Sequence, residues 1–272
     1  MNMAIEVFNR YESKYLMNTA KFNELYADLL DYMELDAYNK QHDFYSISNI
    51  YYDTPTDTLI RASLAKPKYK EKLRLRAYGV PKETDRVYLE IKKKFTGLVN
   101  KRRTALRLDE AYAFVQTGDA PALQEYMNKQ VLNEITYFLR LYDLAPKLYL
   151  SYDRKALFSK ESRDLRITFD TNIRCRRYDL KLEQGDYGEQ LLEPDQWLME
   201  VKAENTVPLW LSRLLAKHGL YRTSFSKYGN EYKKLLRSRQ QIAPLTPPAP
   251  ELIPAQPPTL HIPTDKETIQ YA

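Results

Sequence analysis

The chain has 272 residues, 43% of them hydrophobic and 29% charged, a size and composition that suit a globular protein with a substantial core. The single cysteine, Cys175, excludes an internal disulfide and a cysteine-based zinc cluster. The 7 glycines form neither GxGxxG nor GxxxxGKS/T, which argues against a glycine-rich phosphate loop on a parallel sheet. A net charge of +6 and a pI of about 9.0 favour an acidic partner such as nucleic acid, a membrane surface or a phosphorylated small molecule.

In chain order, the hydrophobic pattern alternates between the periods of strands and helices. Strands are predicted at about 7–16, 45–53, 69–78, 86–95, 98–108, 147–158, 164–173 and 197–203. Helices are predicted at about 19–35, 56–65, 109–115, 122–144, 209–218 and 228–238. Short gaps containing Gly79, Pro81 and Gly97 join three of the strands, which indicates hairpins and a largely antiparallel sheet.

The last 30 residues differ from the rest, because they hold eight of the 15 prolines, few charges and no periodicity. We therefore predict one domain at 1–239 and a proline-rich disordered tail at 240–272. No apolar run could span a bilayer, and the N-terminal residues are unlike a signal peptide. These features predict a cytoplasmic protein.

The strands carry charge on one face, since residues two apart in a strand point the same way. In YKEKLRLRAYG, for example, Lys72, Arg74 and Arg76 share a face opposite Leu73 and Leu75. A single such strand suits a solvated sheet face. Repetition of the pattern over six strands predicts a cationic groove or tunnel, because crowded cations are unfavourable unless an anion neutralises them.

These segments, taken together, resemble the VTC domain, the polyphosphate polymerase module of the vacuolar transporter chaperone, in its bacterial stand-alone form. That domain belongs to the CYTH, or triphosphate tunnel metalloenzyme, superfamily. The resemblance rests on RYESKY (10–15), SNIYYDTP (48–55), KPKYKEKLRLRAYG (66–79), YLEIKKKFTGLVNKRR (88–103), LSYDRKALFS (150–159), LRITFD (165–170), LMEVKAE (198–204) and SFSKYGNEY (224–232).

The resemblance implies an α+β fold, an eight-stranded antiparallel β-barrel tunnel with helices packed on the outside. It implies that the tunnel binds ATP and inorganic polyphosphate and that a tunnel carboxylate holds Mn²⁺ or Mg²⁺. The implied activity moves the γ-phosphate of ATP to a growing chain and releases ADP. Relatives work beside a membrane channel, so a separate channel protein is an expected partner, and the chain would be peripheral at the inner face of the membrane through it.

Two positions depart from the family pattern. The first-strand signature ExExK reads Arg10, Glu12, Lys14 here, and a family lysine is replaced by Ser224. Loss of the first acid argues against a triphosphate hydrolase and leaves metal binding to Glu200, with Glu12 in support.

We assign roles to individual residues from their charge, from the strand face on which they lie and from the resemblance. The predicted catalytic residues are Lys14, Arg74, Arg76, Lys92, Arg154 and Arg166, and the predicted substrate-binding residues are Lys72, Lys101, Arg103, Lys202 and Lys227. Arginine suits this task because its guanidinium grips phosphate oxygens in a bidentate fork. The predicted metal ligands are Glu200 and Glu12, while Glu90 is either a weaker ligand or an ion-pair partner in the tunnel.

Three alternative functions remain. The tunnel could belong to a triphosphatase or nucleotidase, or to a non-catalytic module that binds polyphosphate or inositol phosphates. A nucleic-acid module fits least, because the cations follow strict strand alternation and no RNA or DNA motif is present. The 23 tyrosines are assigned to packing in the core and barrel wall rather than to base stacking.

Overall fold

The structure, a computed structural model, describes residues 7–242 apart from 97, 163 and 205. The strands are β1 (Val7–Asn18), β2 (Met33–Leu35), β3 (Tyr45–Asp53), β4 (Tyr69–Tyr78), β5 (Arg86–Phe95), β6 (Leu98–Arg107), β7 (Ala145–Ser159), β8 (Arg166–Arg176), β9 (Glu189–Gln190) and β10 (Gln196–Ala203). The helices are α1 (Thr19–Leu29), α2 (Thr58–Leu64), α3 (Leu108–Thr117), α4 (Lys129–Leu141), α5 (Leu209–Lys217) and α6 (Lys227–Ile242).

Eight strands pair in a closed antiparallel ring, β7-β3-β4-β5-β6-β1-β10-β8, because β7 pairs with both β3 and β8. The short strands β2 and β9 extend the edges of β7 and β8 beyond their partners in the ring. The predicted α+β fold with an eight-stranded antiparallel tunnel is therefore confirmed. The strand count was incomplete, since β2 and β9 were not predicted.

The core lies between the outer face of the barrel and the helices that cover it. Leu73 and Leu75 of β4 are fully buried in one cluster with Phe114 of α3 and Ile135 of α4. Burying each large apolar side chain stabilises the fold by roughly 1.5–3 kcal/mol. The apolar positions therefore point outward to the helices, and the charged positions between them point inward.

Two further clusters complete the cover. Helices α1 and α5 pack on β1, β8 and β10, where the ring of Phe22 stacks on Trp197 with centroids 3.8 Å apart. Helices α2 and α6 bring Ile60 and Tyr228 against β3 and β7. The N-terminus of α6 thereby lies against the barrel wall, which places its first residue, Lys227, at the tunnel.

Two predicted helices differ from those observed. The helix predicted at 19–35 ends at Leu29, and Met33–Leu35 forms β2 on β7 instead. The helix predicted at 122–144 begins only at Lys129, because the side chain of Asn128 caps it by accepting a hydrogen bond from the backbone N–H of Val131 at 3.0 Å.

Helix α6 continues to Ile242, and the rest of the predicted tail, 243–272, lies outside the described residues, as do residues 1–6. Within 7–242 the structure contains no helix that is both long and apolar enough to cross a membrane.

Candidate active site in the tunnel

The barrel encloses a cavity of about 570 Å³ that opens to solvent. All thirteen residues predicted for the site line it: Glu12, Lys14, Lys72, Arg74, Arg76, Lys92, Lys101, Arg103, Arg154, Arg166, Glu200, Lys202 and Lys227. In total, sixteen lysines and arginines face this cavity against two glutamates. The lining of the cavity therefore carries a large excess of positive charge.

Antiparallel register sets the cations side by side. Lys72 of β4 lies opposite Lys92 of β5, which in turn lies opposite Lys101 of β6. Like charges directly opposite one another in a sheet repel and destabilise it. A row of three lysines across three strands is therefore suited to bind an anion in front of it.

The carboxylate of Glu90 is the centre of the first ion-pair cluster. It is fully buried and accepts hydrogen bonds from Arg74 Nε at 2.8 Å and Lys101 Nζ at 3.2 Å. Burial raises the pKa of Glu90, but the charges of Lys101, Arg74 and Arg76 outweigh it and hold the pKa well below its ordinary value. Glu90 is therefore an ionised ion-pair partner, which was one of the two roles predicted for it.

Lys14 is the centre of a second cluster, where it bridges both predicted metal ligands. Its Nζ lies 3.2 Å from Glu12 and 3.1 Å from Glu200. Glu12 also pairs with Lys92 at 3.2 Å, and Glu200 with Lys202 at 2.8 Å. Burial lowers the pKa of Lys14, but Glu200 and Glu12 outweigh that effect and raise it above its ordinary value.

Asp170 of β8 forms a third cluster that the sequence reasoning missed. It accepts two hydrogen bonds from Arg154, at 2.6 and 2.8 Å, and one from Lys227 Nζ at 2.5 Å. Lys227 also reaches Glu200 at 3.4 Å. Asp170 lies four residues after the predicted residue Arg166 in the same strand, so both point into the tunnel. The sequence could have predicted this orientation, but not the partners of Asp170.

Arg76 and Arg166, two further predicted catalytic arginines, each contact an uncharged side chain and a carboxylate. Arg76 is buried, and it donates to the side-chain oxygen of Asn49 at 2.9 Å and to the hydroxyl of Tyr152 at 3.0 Å. Arg166 donates to the hydroxyl of Tyr45 at 3.2 Å and to the carboxylate of Asp36 at 3.4 Å. Arg76 lies 3.9 Å from the carboxylate of Glu90, so its charge is offset more weakly than that of Arg166.

Three lysines of the tunnel have lowered pKa values. Burial, followed by the charges of Lys92 and other cations, lowers the pKa of Lys72 to about 7. Burial also lowers the pKa of Lys101 to about 7 and that of Lys202 to about 8, although Glu90 and Glu200 oppose the change. A bound phosphate chain would favour the charged form of all three.

The predicted metal ligands fit a divalent ion only in part. Each oxygen of Glu200 already faces cations: Oε1 faces Lys14 and Lys227, and Oε2 faces Lys202 and, at 3.8 Å, Arg154. Across the described residues, no group of three or more His, Cys, Asp or Glu side chains could hold a metal. Two carboxylates suit Mg²⁺ or Mn²⁺ when phosphate oxygens complete the coordination, which is how Mg²⁺ usually binds.

Several cations of the cavity were not predicted as site residues. They are Lys66, Lys70, Lys94, Arg222 and Lys233. Lys70 and Lys94 lie on the tunnel faces of β4 and β5, so alternation alone would have included them. Lys66, Arg222 and Lys233 come from loops and from α6, whose approach to the tunnel depends on packing rather than on strand period.

An antiparallel ring of eight strands with sixteen cations facing one cavity defines a tunnel protein suited to a multiply charged anion. The family model of the VTC domain matches residues 9–236. The chain therefore belongs to the VTC domain family, which confirms the resemblance found in its motifs.

An individual relative agrees with this assignment. The chain is 25% identical over 214 residues to vacuolar transporter chaperone complex subunit 4 of Trypanosoma brucei brucei, a match that spans 65% of this chain and 27% of that protein. The chain thus covers about a quarter of the length of this relative.

Solved structures align with this chain over most of its length. A provisionally assigned adenylate cyclase from Bacillus halodurans aligns with a TM-score of 0.52 at 14% identity, over 82% of this chain and 96% of that one. An adenylyl cyclase homologue from Hippeastrum, described as having a dominant triphosphatase activity, aligns with a TM-score of 0.47 at 13% identity, over 86% of this chain and 96% of that one.

Proposed function

We propose that this chain is a polyphosphate polymerase, which transfers the γ-phosphate of ATP to a growing chain of inorganic polyphosphate in the tunnel and releases ADP. One observation carries the proposal: sixteen cations and two glutamates face a single cavity of about 570 Å³. A long polyanion neutralises such a surface, and the volume lies within the roughly 300–1,000 Å³ range of ligand sites. Membership of the VTC family supports the choice of polyphosphate.

Phosphoryl transfer needs positioning and neutralisation of charge more than covalent help from the protein. Arg74, Arg76 and Arg166 supply guanidinium groups that would hold phosphate oxygens on either side of the transferred group. Lys14 and Lys92 would offset the charge that develops on the oxygens. Asp170 pairs with both Arg154 and Lys227 and holds them in place. The part of their positive charge that Asp170 does not neutralise would attract the phosphate.

Glu200, supported by Glu12, would hold Mn²⁺ or Mg²⁺ against the phosphate oxygens. When bound, such an ion supplies further stabilisation of the charge on the transferred phosphate and the leaving ADP. The lysines around both glutamates would have to turn toward the phosphate chain as the ion binds. Coordination therefore depends on the presence of substrate.

One assay separates this proposal from its alternatives. The protein is incubated with ATP and Mn²⁺, and the products are resolved as polymer, free phosphate and ADP. We expect polymer with ADP in proportion to the phosphate incorporated. Free phosphate without polymer would instead support a triphosphatase or nucleotidase, and binding without turnover would support a non-catalytic polyphosphate or inositol-phosphate module.

The strand alternation provides a matched control. Lys92 faces the tunnel and its neighbour Lys93 faces the outside, where it lies 3.8 Å from Glu134. Both side chains are 33% exposed, so substitution removes one equally accessible charge in each case. Lys92→Ala should reduce polymer synthesis by about tenfold, since a charged hydrogen bond contributes about 1.5–3 kcal/mol, while Lys93→Ala should retain it. Equal effects of the two substitutions would contradict a site in the tunnel.

The role of Glu200 is tested by Glu200→Gln, which keeps the shape and removes the charge. A metal ligand would be lost, so we expect Mn²⁺-stimulated transfer to fall while polyphosphate binds as tightly as before or more tightly. Normal metal-dependent synthesis by this variant would show that Glu200 only spaces the cations, and Glu12 would then be the remaining candidate ligand.

A further inference from the structure

Four tyrosines form an aromatic cluster at one mouth of the tunnel. Tyr38 and Tyr78 lie parallel within 4°, with centroids 6.1 Å apart. Tyr45 lies 5.5 Å from Tyr38 and 6.1 Å from Tyr78, and Tyr88 meets the edge of Tyr78 at 5.9 Å. We call Tyr38, Tyr45, Tyr78 and Tyr88 the tyrosine mouth.

The tyrosine mouth is continuous with the phosphate site. Tyr45 and Tyr78 line the same cavity as the cations. Tyr78 ends β4, two residues beyond Arg76, and Tyr45 accepts a hydrogen bond from Arg166. A molecule that held its phosphates at Arg76 and Arg166 would therefore place its next group among these rings.

The exposure of Tyr38 and Tyr78 sets these two rings apart from tyrosines that only pack. Tyr38 is 59% exposed and Tyr78 is 41% exposed, whereas Tyr149 in the barrel wall is fully buried. An exposed aromatic cluster that adjoins a binding cavity marks an interaction site more often than a packing site. The expectation that the tyrosines serve the core and barrel wall holds for Tyr149 but does not account for this cluster.

The opposite mouth has a different chemistry. Lys70 and Lys94, at the far ends of β4 and β5, lie opposite each other there and line the cavity together with Lys66. Lysines suit a bare chain of phosphates, which has no aromatic part. Aromatic faces suit a ligand with a flat, polarisable ring attached to its phosphates.

We propose that the tyrosine mouth binds the nucleobase of the nucleoside triphosphate, with the triphosphate extending past Arg76 and Arg166 into the tunnel. The inference rests on the proposed function, since it assumes that the tunnel accepts a nucleotide. Stacking on an aromatic ring depends little on which base is bound, because every base has a π-face. Purine nucleotides should therefore bind with similar affinity, and inorganic tripolyphosphate, which lacks a base, should bind more weakly than ATP for its charge.

The test compares ATP with inorganic tripolyphosphate, each titrated into the full chain by calorimetry at one salt concentration and without metal. In Tyr38→Ala and Tyr78→Ala the dissociation constant for ATP should rise by about fivefold or more, the lower end of the effect of losing a base stack. The constant for tripolyphosphate should stay within twofold. Tyr38→Phe should restore ATP binding, because the ring face is retained without the hydroxyl.

A matched control is Tyr137→Ala on α4, an exposed tyrosine (65%) away from the cavity, which should change neither constant. The inference is overturned if the tyrosine variants weaken both ligands alike, if they weaken neither, or if the wild-type protein binds tripolyphosphate but not ATP. A failure of the polymerase proposal is distinguishable, because the two affinities are measured without turnover and are read in the same way whether or not polymer forms.

Discussion

The lowered pKa values of the tunnel lysines predict that polyphosphate binding weakens steeply as pH rises. Lys72 is the sharpest case, because burial and the neighbouring charges of Lys92, Lys70 and Lys14 lower its pKa to about 7, and Asp53 opposes them only in part. The free protein therefore carries only part of the charge of Lys72 near pH 7. A bound phosphate favours the charged lysine, so binding takes up a proton above this pH.

The magnitude follows from linkage. If the bound anion restores the pKa of Lys72 to its ordinary value of 10.5, affinity falls by about 50-fold for this one lysine between pH 7 and pH 9. Lys101, whose pKa is also about 7, would add a similar factor. If the bound anion restores the pKa values only in part, the fall in affinity is smaller. Affinity still falls as pH rises, because each lysine must regain a proton that the free protein has lost.

The assay is titration of long-chain polyphosphate into the protein at pH 7, 8 and 9, at constant ionic strength. Long chains are suitable because their internal phosphates do not titrate in this range. The matched variants are Lys72→Arg and Lys101→Arg, which keep a charge that does not titrate and should flatten the profile. Affinity of the wild type that is unchanged from pH 7 to pH 9, or an equal slope in the arginine variants, would refute the reasoning.

Three further predictions follow from the clusters. Arg76→Ala should lower synthesis by at least about tenfold and also lower the free energy of unfolding by about 1–3 kcal/mol, because Asn49 loses its buried donor; urea unfolding and a turnover assay check both parts. Asp170→Asn should destabilise the fold by about 3–5 kcal/mol in urea by removing the buried carboxylate that Arg154 and Lys227 share, whereas the exposed Asp109→Asn should change stability little. The melting temperature of the ligand-free protein should rise from pH 7 to pH 9, since the folded chain holds fewer protons than the unfolded chain on the lysines with lowered pKa, and saturating polyphosphate should abolish or reverse this rise.

The barrel was predictable from sequence because its determinants are local. Alternation along β4 puts Arg74 and Arg76 on one face and Leu73 and Leu75 on the other, and this period survives whatever the strand pairs with. Short gaps between β4, β5 and β6 fix antiparallel neighbours. The predicted site residues on the strands therefore lie in one cavity, as alternation repeated over the ring requires.

The missed features depend on partners distant in the chain. Met33 continues the apolar spacing of α1, so its place in a strand on β7 follows only from the edge that β7 offers. Asp170 is isolated in sequence, and its role comes from the register that sets it opposite Arg154 and from the N-terminus of α6, which brings Lys227. Neither register nor helix docking is encoded by a local period, so such contacts escape a strand-by-strand reading.

The carboxylates placed among the cations have a consequence for movement. A phosphate chain that met isolated cations would settle in a deep energy minimum at each one, and every step forward would cost most of that interaction. Lys14 and Lys92 both pair with Glu12, and Arg74 pairs with Glu90. The positive charge of each is therefore partly neutralised before a phosphate arrives. Shallower minima at closely spaced positions allow a charged species to be held and still to advance, as in ion-conducting pores. On this view the buried acids govern how fast a polymer travels through the protein.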